Sequence, residues 1–202
     1  MKIIKTNCYK GTVIRYGNEK RILLNRMTEY LMGLDYIEIN ASALQIPLIF
    51  AGKIGEENNN LMYQFEVRGR ETCLAPEYTA VFQRLATIDF KFQKDVKLFY
   101  IQQCFRGERQ QRGRWREFTQ LGVEILNPSK DWVEYLAQLA AELITFPPVK
   151  LWEVTLDVSR GLDYYTDGKG FEIRAEDGLQ LCGGGEYENG VGFAIGIDRI
   201  LL

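Results

Sequence analysis

The 202-residue chain reads as an α+β domain, and three features of the sequence predict it. Two stretches, Asn18 to Met32 and Lys130 to Ile144, carry apolar residues at helical spacing. Between them, Leu98–Phe105 (LFYIQQCF) and Phe118–Leu126 (FTQLGVEIL) read as two strands joined by an arginine-rich loop. Beyond the second helix the chain resumes as short strands around Asp177-Gly178, a strong hairpin cue. At 46% hydrophobic it can bury one good core, so a single domain over residues 1–202 is expected.

The first helix has its stripe at Ile22, Leu23, Met27, Tyr30 and Leu31, with Gly33 as the stop. Tyr36 to Asn40 alternates as a strand. Ala43 to Ala51 is apolar, and polar Lys53 to Asn60 suits a solvated linker or a loop that closes over substrate. Met62–Val67 and Glu71–Leu74 form a hairpin across Arg68, Gly69 and Arg70. In LAPEYTAVFQRLA, Leu74 to Ala86, Pro76 is placed to open a helix because its missing N–H costs little in the first turn. Glu77 and Thr79 then lie near the helix start, where an acid is ordinary capping chemistry.

In the second helix, core packing explains Trp132, Val133, Leu136, Leu139, Leu143 and Ile144, and Phe146-Pro147-Pro148 ends it. Lys150–Val158 is a strand, Asp167-Gly168-Lys169-Gly170 a tight turn, and Phe171–Arg174 and Leu179–Cys182 short strands. The run Gly183-Gly184-Gly185 allows close approach of backbone to a ligand and fits a bulge or turn equally well.

Composition excludes several chemistries. The net charge of −2 gives no overall nucleic-acid footprint, so any contact with RNA must be local. With no histidine, histidine-based acid–base or triad catalysis is ruled out. Cys8, Cys73, Cys104 and Cys182 form no CxxC pair and read as inert thiols in a reducing compartment, so no metal site is expected. No apolar run approaches the roughly 18 residues of a membrane span, and the start lacks a signal-peptide core. A cytoplasmic protein follows.

The chemistry concentrates in FRGERQQRGRWREFTQLGVE, Phe105 to Glu124, where Arg106, Arg109, Arg112, Arg114 and Arg116 alternate with Glu108 and Glu117. Guanidinium groups stay charged and offer a planar fork to phosphate oxygens, whereas a solvated hairpin would need charge only for solubility. On the second strand Phe118, Gln120, Gly122 and Glu124 share one face, and Thr119, Leu121, Val123 and Ile125 the other.

This order of residues resembles motif 2 of the class II aminoacyl-tRNA synthetases, and within them the histidyl-tRNA synthetases, whose pattern is close to FR-x-ER-x-Q-x-GR-x-RE-F-x-Q-x-G-x-E. LAPEYTA resembles that family's LRPEGTA, SRGLDYYT (Ser159 to Thr166) its RGLDYYT, and VGFAIGIDRILL (Val191 to Leu202) its motif 3, with Gly192, Gly196 and Arg199 at the marked positions. The resemblance runs from about Gly11 to the end and implies the class II core fold, an antiparallel β-sheet flanked by helices.

It also implies roles. Arg106 would grip the α-phosphate and the amino-acid carboxylate, Glu108 the adenine amino group, Phe118 the adenine ring, and Arg114 and Arg199 the outer phosphates of ATP, with Mg²⁺ shielding them. Glu77 would receive the α-ammonium of histidine beside Thr79, while Gln120 and Glu124 would face the substrate and Tyr164 and Tyr165 line the imidazole pocket. Arg160 would stabilise charge at the α-phosphate, and Gln111 would lie against the tRNA acceptor end.

The family's motif 1 implies a homodimer, although its proline corresponds here to Ser42. Ala75, Tyr78 and Glu186 stand where the family has arginine, glycine and arginine. The inserted domain usual near residue 148 and the anticodon-binding domain after motif 3 are expected to be absent. The implied function is a histidine–tRNA ligase of protein biosynthesis. The alternatives are a paralogue that activates an amino acid for another acceptor, or a non-catalytic subunit like the regulator of histidine biosynthesis.

Overall fold

A computed structural model describes residues 17–54, 60–109, 111–146, 152–158 and 165–202. Its elements are α1 (Gly17–Gly33), β1 (Ile37–Glu38), β2 (Leu44–Gln45), β3 (Gln64–Val67), β4 (Arg70–Leu74), α2 (Thr79–Ile88), β5 (Val96–Phe105), β6 (Glu117–Leu126), α3 (Val133–Ile144), β7 (Trp152–Val158), β8 (Tyr165–Ala175), β9 (Gln180–Tyr187), β10 (Gly190–Gly196) and α4 (Ile197–Ile200). Among the described residues, one sheet has the order β1-β5-β6-β10-β9-β8-β7 and a smaller one the order β2-β4-β3. Every pairing is antiparallel except the edge pair β1–β5, so the large sheet is mainly antiparallel.

Strand alternation gives the large sheet two apolar faces. On one, Leu121, Val123 and Ile125 of β6 and Phe193 and Ile195 of β10 pack with Leu23, Met27 and Leu31 of α1 and with Leu136, Leu139 and Leu143 of α3. On the other, Leu98, Tyr100 and Cys104 of β5 pack with Ala80, Phe82 and Ala86 of α2. The chemistry sits on this second face, where β6 places Phe118 and Gln120.

Asn127 fastens α2 to the sheet. Just past β6, in a left-handed conformation (φ 50°), it donates from Nδ2 to the carbonyls of Ala86 (3.3 Å), Phe90 (2.8 Å) and Gln93 (3.0 Å).

Several expectations change. Ile22 is exposed rather than core. The strand expected over Tyr36–Asn40 is only Ile37–Glu38. Pro76 does not open the helix: α2 begins at Thr79, and the Pro76 carbonyl instead accepts from Arg106. The expected turn at Asp167–Gly170 and the two short strands after it belong to long strands β8 and β9. Between the pairs Tyr165↔Tyr187 and Gly170↔Gly185, residues 166–169 bulge opposite the single residue Glu186, so the turn-forming glycine Gly168 (φ 69°) serves a bulge.

The glycine run lies inside β9, and its neighbours explain it without a ligand at Gly184. A Cβ there would fall 2.6 Å from Phe193 Cβ and 2.7 Å from Phe171 Cζ. Of the departures from the family pattern, Ala75 and Tyr78 are fully buried, and the Tyr78 hydroxyl donates to the Gln103 carbonyl at 3.1 Å. The Ser42 hydroxyl accepts from the Leu44 N–H at 3.1 Å, a local turn. Residues 55–59, within the expected linker, lie outside the described residues, as do Cys8, Pro147 and Pro148. Cys73, Cys104 and Cys182 are buried thiols that form no disulfide.

Candidate active site

A cavity of about 330 Å³ opens between β6, β8, β9, β10 and the starts of α2 and α4. Just past β5, Arg106 donates from Nε to the Pro76 carbonyl at 2.8 Å and lies 5.2 Å from the centre of the Phe118 ring, a cation–π contact. Glu108 and Arg114 pair across the loop at 3.6 Å. At the tip, Gly113 adopts φ 76°, a left-handed backbone that favours glycine, and a Cβ there would also push the end of the Leu179 side chain aside.

Arg199, in the first turn of α4, donates from Nε to the Gly113 carbonyl and from Nη1 to the Gln180 carbonyl, both at 2.8 Å. Burial pulls its guanidinium below the usual arginine range, and the neighbouring Arg106 pulls it further. Crowded cations of this kind are the converse of an anion site. Arg112 pairs with Asp177 at 2.7 Å and ties the loop to the β8–β9 turn. Gln111 is exposed on the loop and lies off the cavity lining.

The cavity is also lined by Glu77, Thr79, Gln120 and Tyr165. The Glu77 carboxylate accepts the N–H groups of Thr79 (2.8 Å) and Ala80 (3.0 Å), so it caps α2 as well as facing the cavity. Gln120 accepts the Cys104 thiol proton at its Oε1, 3.1 Å away. Tyr165 meets Tyr187 edge-on with ring centres 6.4 Å apart.

Glu124 lies behind the lining, fully buried. Thr79 Oγ1 donates to its Oε1 at 3.1 Å and the Tyr187 hydroxyl to its Oε2 at 2.7 Å. Burial pushes its carboxyl up to about 8, against the opposing pull of these two hydrogen bonds. Gly192 makes the room, since a Cβ there would fall 1.8 Å from Glu124 Oε2. Glu186 does not line this cavity; it stands opposite the Lys169-bearing bulge, and its charge adds to that of Asp131 in holding the Lys169 ammonium above its ordinary range.

Nine of the sequence-predicted residues thus share one cavity: Glu77, Thr79, Arg106, Glu108, Arg114, Phe118, Gln120, Tyr165 and Arg199. Arg160 and Tyr164 lie outside the described residues. Sequence reasoning missed Asp198, which also lines the cavity. The last rung between β6 and β10 joins Gln120 to Gly196; one residue further, Asp198 Oδ2 accepts the Thr119 N–H at 2.5 Å and supplies the next rung from a side chain. Lys20 of α1 lies 3.3 Å from Asp198 Oδ1 and donates to Thr119 Oγ1. An acid beside the motif 3 arginine was the available signal for Asp198; Lys20, 178 positions away, had none.

Among the described residues no group of three or more acidic or thiol side chains converges to hold a metal. Glu108 and Glu172 line the cavity; Glu108 Oε2, though buried without a hydrogen bond, faces Arg114 at 3.6 Å, and Glu172 Oε2 pairs with Arg174 at 2.5 Å. One or two carboxylates completed by phosphate oxygens is a donor set that suits Mg²⁺.

A family model described as histidyl-tRNA synthetase matches residues 20–131. The histidine–tRNA ligase of Methanocaldococcus jannaschii is 26% identical over 298 residues, covering 91% of this chain and 71% of the relative. The crystal structure of apo S. aureus histidyl-tRNA synthetase superposes with TM-score 0.73 at 24% identity, over 97% of this chain and 69% of that one. An ATP phosphoribosyltransferase regulatory subunit/histidyl-tRNA synthetase from Bacillus halodurans superposes with TM-score 0.78 at 13% identity, over 100% of this chain and 83% of that one. At these identities the two solved structures establish a shared fold.

Proposed function

Because the chain belongs to the histidyl-tRNA synthetase family, we propose that it activates histidine with ATP to histidyl-adenylate and passes the histidyl group to the terminal adenosine of a tRNA. The observation that carries this reading is the convergence of Arg106, Arg114 and Arg199 on one cavity with Glu77, Thr79 and Gln120. Arginines serve a triphosphate; a carboxylate, a hydroxyl and an amide serve an amino acid.

In the first step a histidine carboxylate oxygen bonds to the α-phosphorus while the bond from that phosphorus to the bridging oxygen of pyrophosphate breaks. No proton has to move, which fits a cavity without histidine. The work is positioning and charge stabilisation. Arg106 takes the α-phosphate, and Arg114 and Arg199 the outer phosphates. Phe118 offers its ring to adenine, Glu108 an acceptor to its amino group, and Glu77 a carboxylate to the substrate ammonium. Mg²⁺, held by Glu172 together with the phosphates, would neutralise their charge. Arg160 and Tyr164 are assigned by resemblance, to the α-phosphate and the imidazole pocket, and Glu124 backs that pocket through Thr79 and Tyr187.

The exposed Gln111 and Arg114 support an acceptor-end contact for tRNA. Exposed Ile37 on the edge strand, with exposed Leu44, Ile46 and Leu48, supports a homodimer. Seven residues separate α3 from β7, and the 298-residue alignment with the M. jannaschii ligase draws on only 91% of this 202-residue chain; both support a core without the inserted domain. Among the described residues no helix is long and apolar enough to cross a membrane, which accords with a cytoplasmic site of action.

A second reading, a non-catalytic regulatory subunit, is favoured by the superposition of the B. halodurans protein on the whole chain. ATP–pyrophosphate exchange with each amino acid in the absence of RNA separates the two. Exchange with histidine alone is expected, and Arg160→Ala should abolish it while leaving the circular dichroism spectrum unchanged. A folded protein that binds ATP yet exchanges with no amino acid would establish the regulator instead.

A further inference from the structure

Two ends of the cavity stand on different elements, Phe118 on β6 and Arg199 on α4, so a ligand that spans both is held well only if the two keep a fixed separation. Behind them a closed ring of polar contacts ties one element to the other. Thr119, the residue after Phe118, gives its N–H to Oδ2 of Asp198, the residue before Arg199, at 2.5 Å. Lys20 of α1 completes the ring: its Nζ lies 3.3 Å from Asp198 Oδ1 and donates to Thr119 Oγ1. Having accepted from Lys20, the Thr119 hydroxyl passes its own proton to Gln103 Oε1 at 3.2 Å, so each proton of the set has one donor and one acceptor.

Lys20 is not part of the cavity wall. Its helix buries Leu23, Met27 and Leu31 in the core, which gives the ammonium a rigid base. We propose that Lys20 is a positioning residue for ATP: by holding Asp198 against Thr119 it fixes the span between the adenine platform at Phe118 and the outer-phosphate arginine, Arg199. It also balances the charge of a carboxylate on the wall of a site for a polyanion; with Lys20 gone, Asp198 competes with phosphate for the cations there. A nucleotide that stops at the α-phosphate makes no such demand. It needs only Phe118 and Arg106, which stack on one another at 5.2 Å and belong to the same hairpin.

The inference rests on the ATP site proposed above but not on amino-acid activation, and the test keeps the two apart by reading binding rather than turnover. Titration calorimetry compares ATP with AMP, which lacks the outer phosphates. Lys20→Met keeps most of the side-chain stem and removes the ammonium; Lys20→Arg restores a cation with donors. Lys20→Met should weaken ATP roughly tenfold and AMP by less than about twofold, and Lys20→Arg should recover most of the loss. In an Asp198→Asn background, which keeps an oxygen for the Thr119 N–H, Lys20→Met should cost ATP no more than about twofold, because the lysine acts through Asp198.

Equal weakening of ATP and AMP would overturn the inference, because the substitution would then act on the fold or on the adenine end. The same tenfold loss in both backgrounds would overturn it too, since Lys20 would then attract phosphate by its own charge. So would unchanged ATP binding in Lys20→Met, or an unmodified protein that binds ATP no more tightly than AMP. Tight ATP binding without pyrophosphate exchange, by contrast, would count against activation of histidine and leave the role of Lys20 standing on the same titrations.

Discussion

Replacing Glu124 by glutamine should make the protein more stable at neutral and alkaline pH, with no gain at acid pH. The carboxyl is fully buried and titrates near 8, against 4.5 for an ordinary glutamate. The folded state therefore keeps a proton that the unfolded chain releases. By linkage, stability falls as pH climbs from about 4.5 to about 8 and is flat outside that window. At ~1.4 kcal/mol for each pH unit between the two values, the loss above pH 8 is ~4–5 kcal/mol, an upper value because local relaxation reduces it.

Glutamine has the same shape and no proton to lose. Its oxygen can accept from Thr79 and its amide can donate to the Tyr187 oxygen, while its second N–H goes unpaired at a cost of about 1 kcal/mol. Urea unfolding at pH 5, 7 and 9 measures the outcome. Glu124→Gln should be equal to or slightly less stable than the parent at pH 5 and clearly more stable at pH 9. A difference that does not depend on pH would show that Glu124 is ionised in the folded protein, and the argument from burial would fail.

Two other substitutions probe the frame of the site. Gly192→Ala would place a methyl 1.8 Å from Glu124 Oε2 and 2.6 Å from the Val123 carbonyl, so a loss of at least ~3 kcal/mol in thermal unfolding is expected; an unchanged melting temperature would mean that the Glu124 carboxyl has another place to go. Asn127→Ala removes three hydrogen bonds to carbonyls at and just beyond the end of α2, and a loss of ~2–3 kcal/mol in urea should accompany faster amide exchange there; exchange as slow as in the parent would show that the clamp is dispensable.

What could be read ahead of the structure divides along physical lines. The two long helices and the β5–β6 hairpin were legible because their periodicity is local, and the face shared by Phe118, Gln120 and Glu124 follows from strand geometry alone. Glycine misled where tertiary packing overrode local turn chemistry. Asp167–Gly170 became a bulge because β8 continues along β9 on either side, and Gly184 lies mid-strand because Phe171 and Phe193 fill the space its side chain would need. The cavity's donors were visible as motifs. Their supports were not: Cys104 behind Gln120, Tyr187 behind Glu124 and Lys20 beside Asp198 are joined only by folding.

The rung between Asp198 and Thr119 has a use of its own. Ladder bonds in a sheet are made by main-chain groups that every residue carries, so genetics cannot ordinarily remove one. Here β10 has ended and a carboxylate stands in for a peptide oxygen, next to the arginine that holds the loop tip. A single codon change can therefore delete one rung of a central strand at the lip of the cavity, leaving both backbones intact, and a matching change at Lys20 separates the loss of that rung from the loss of the Lys20–Asp198 pair.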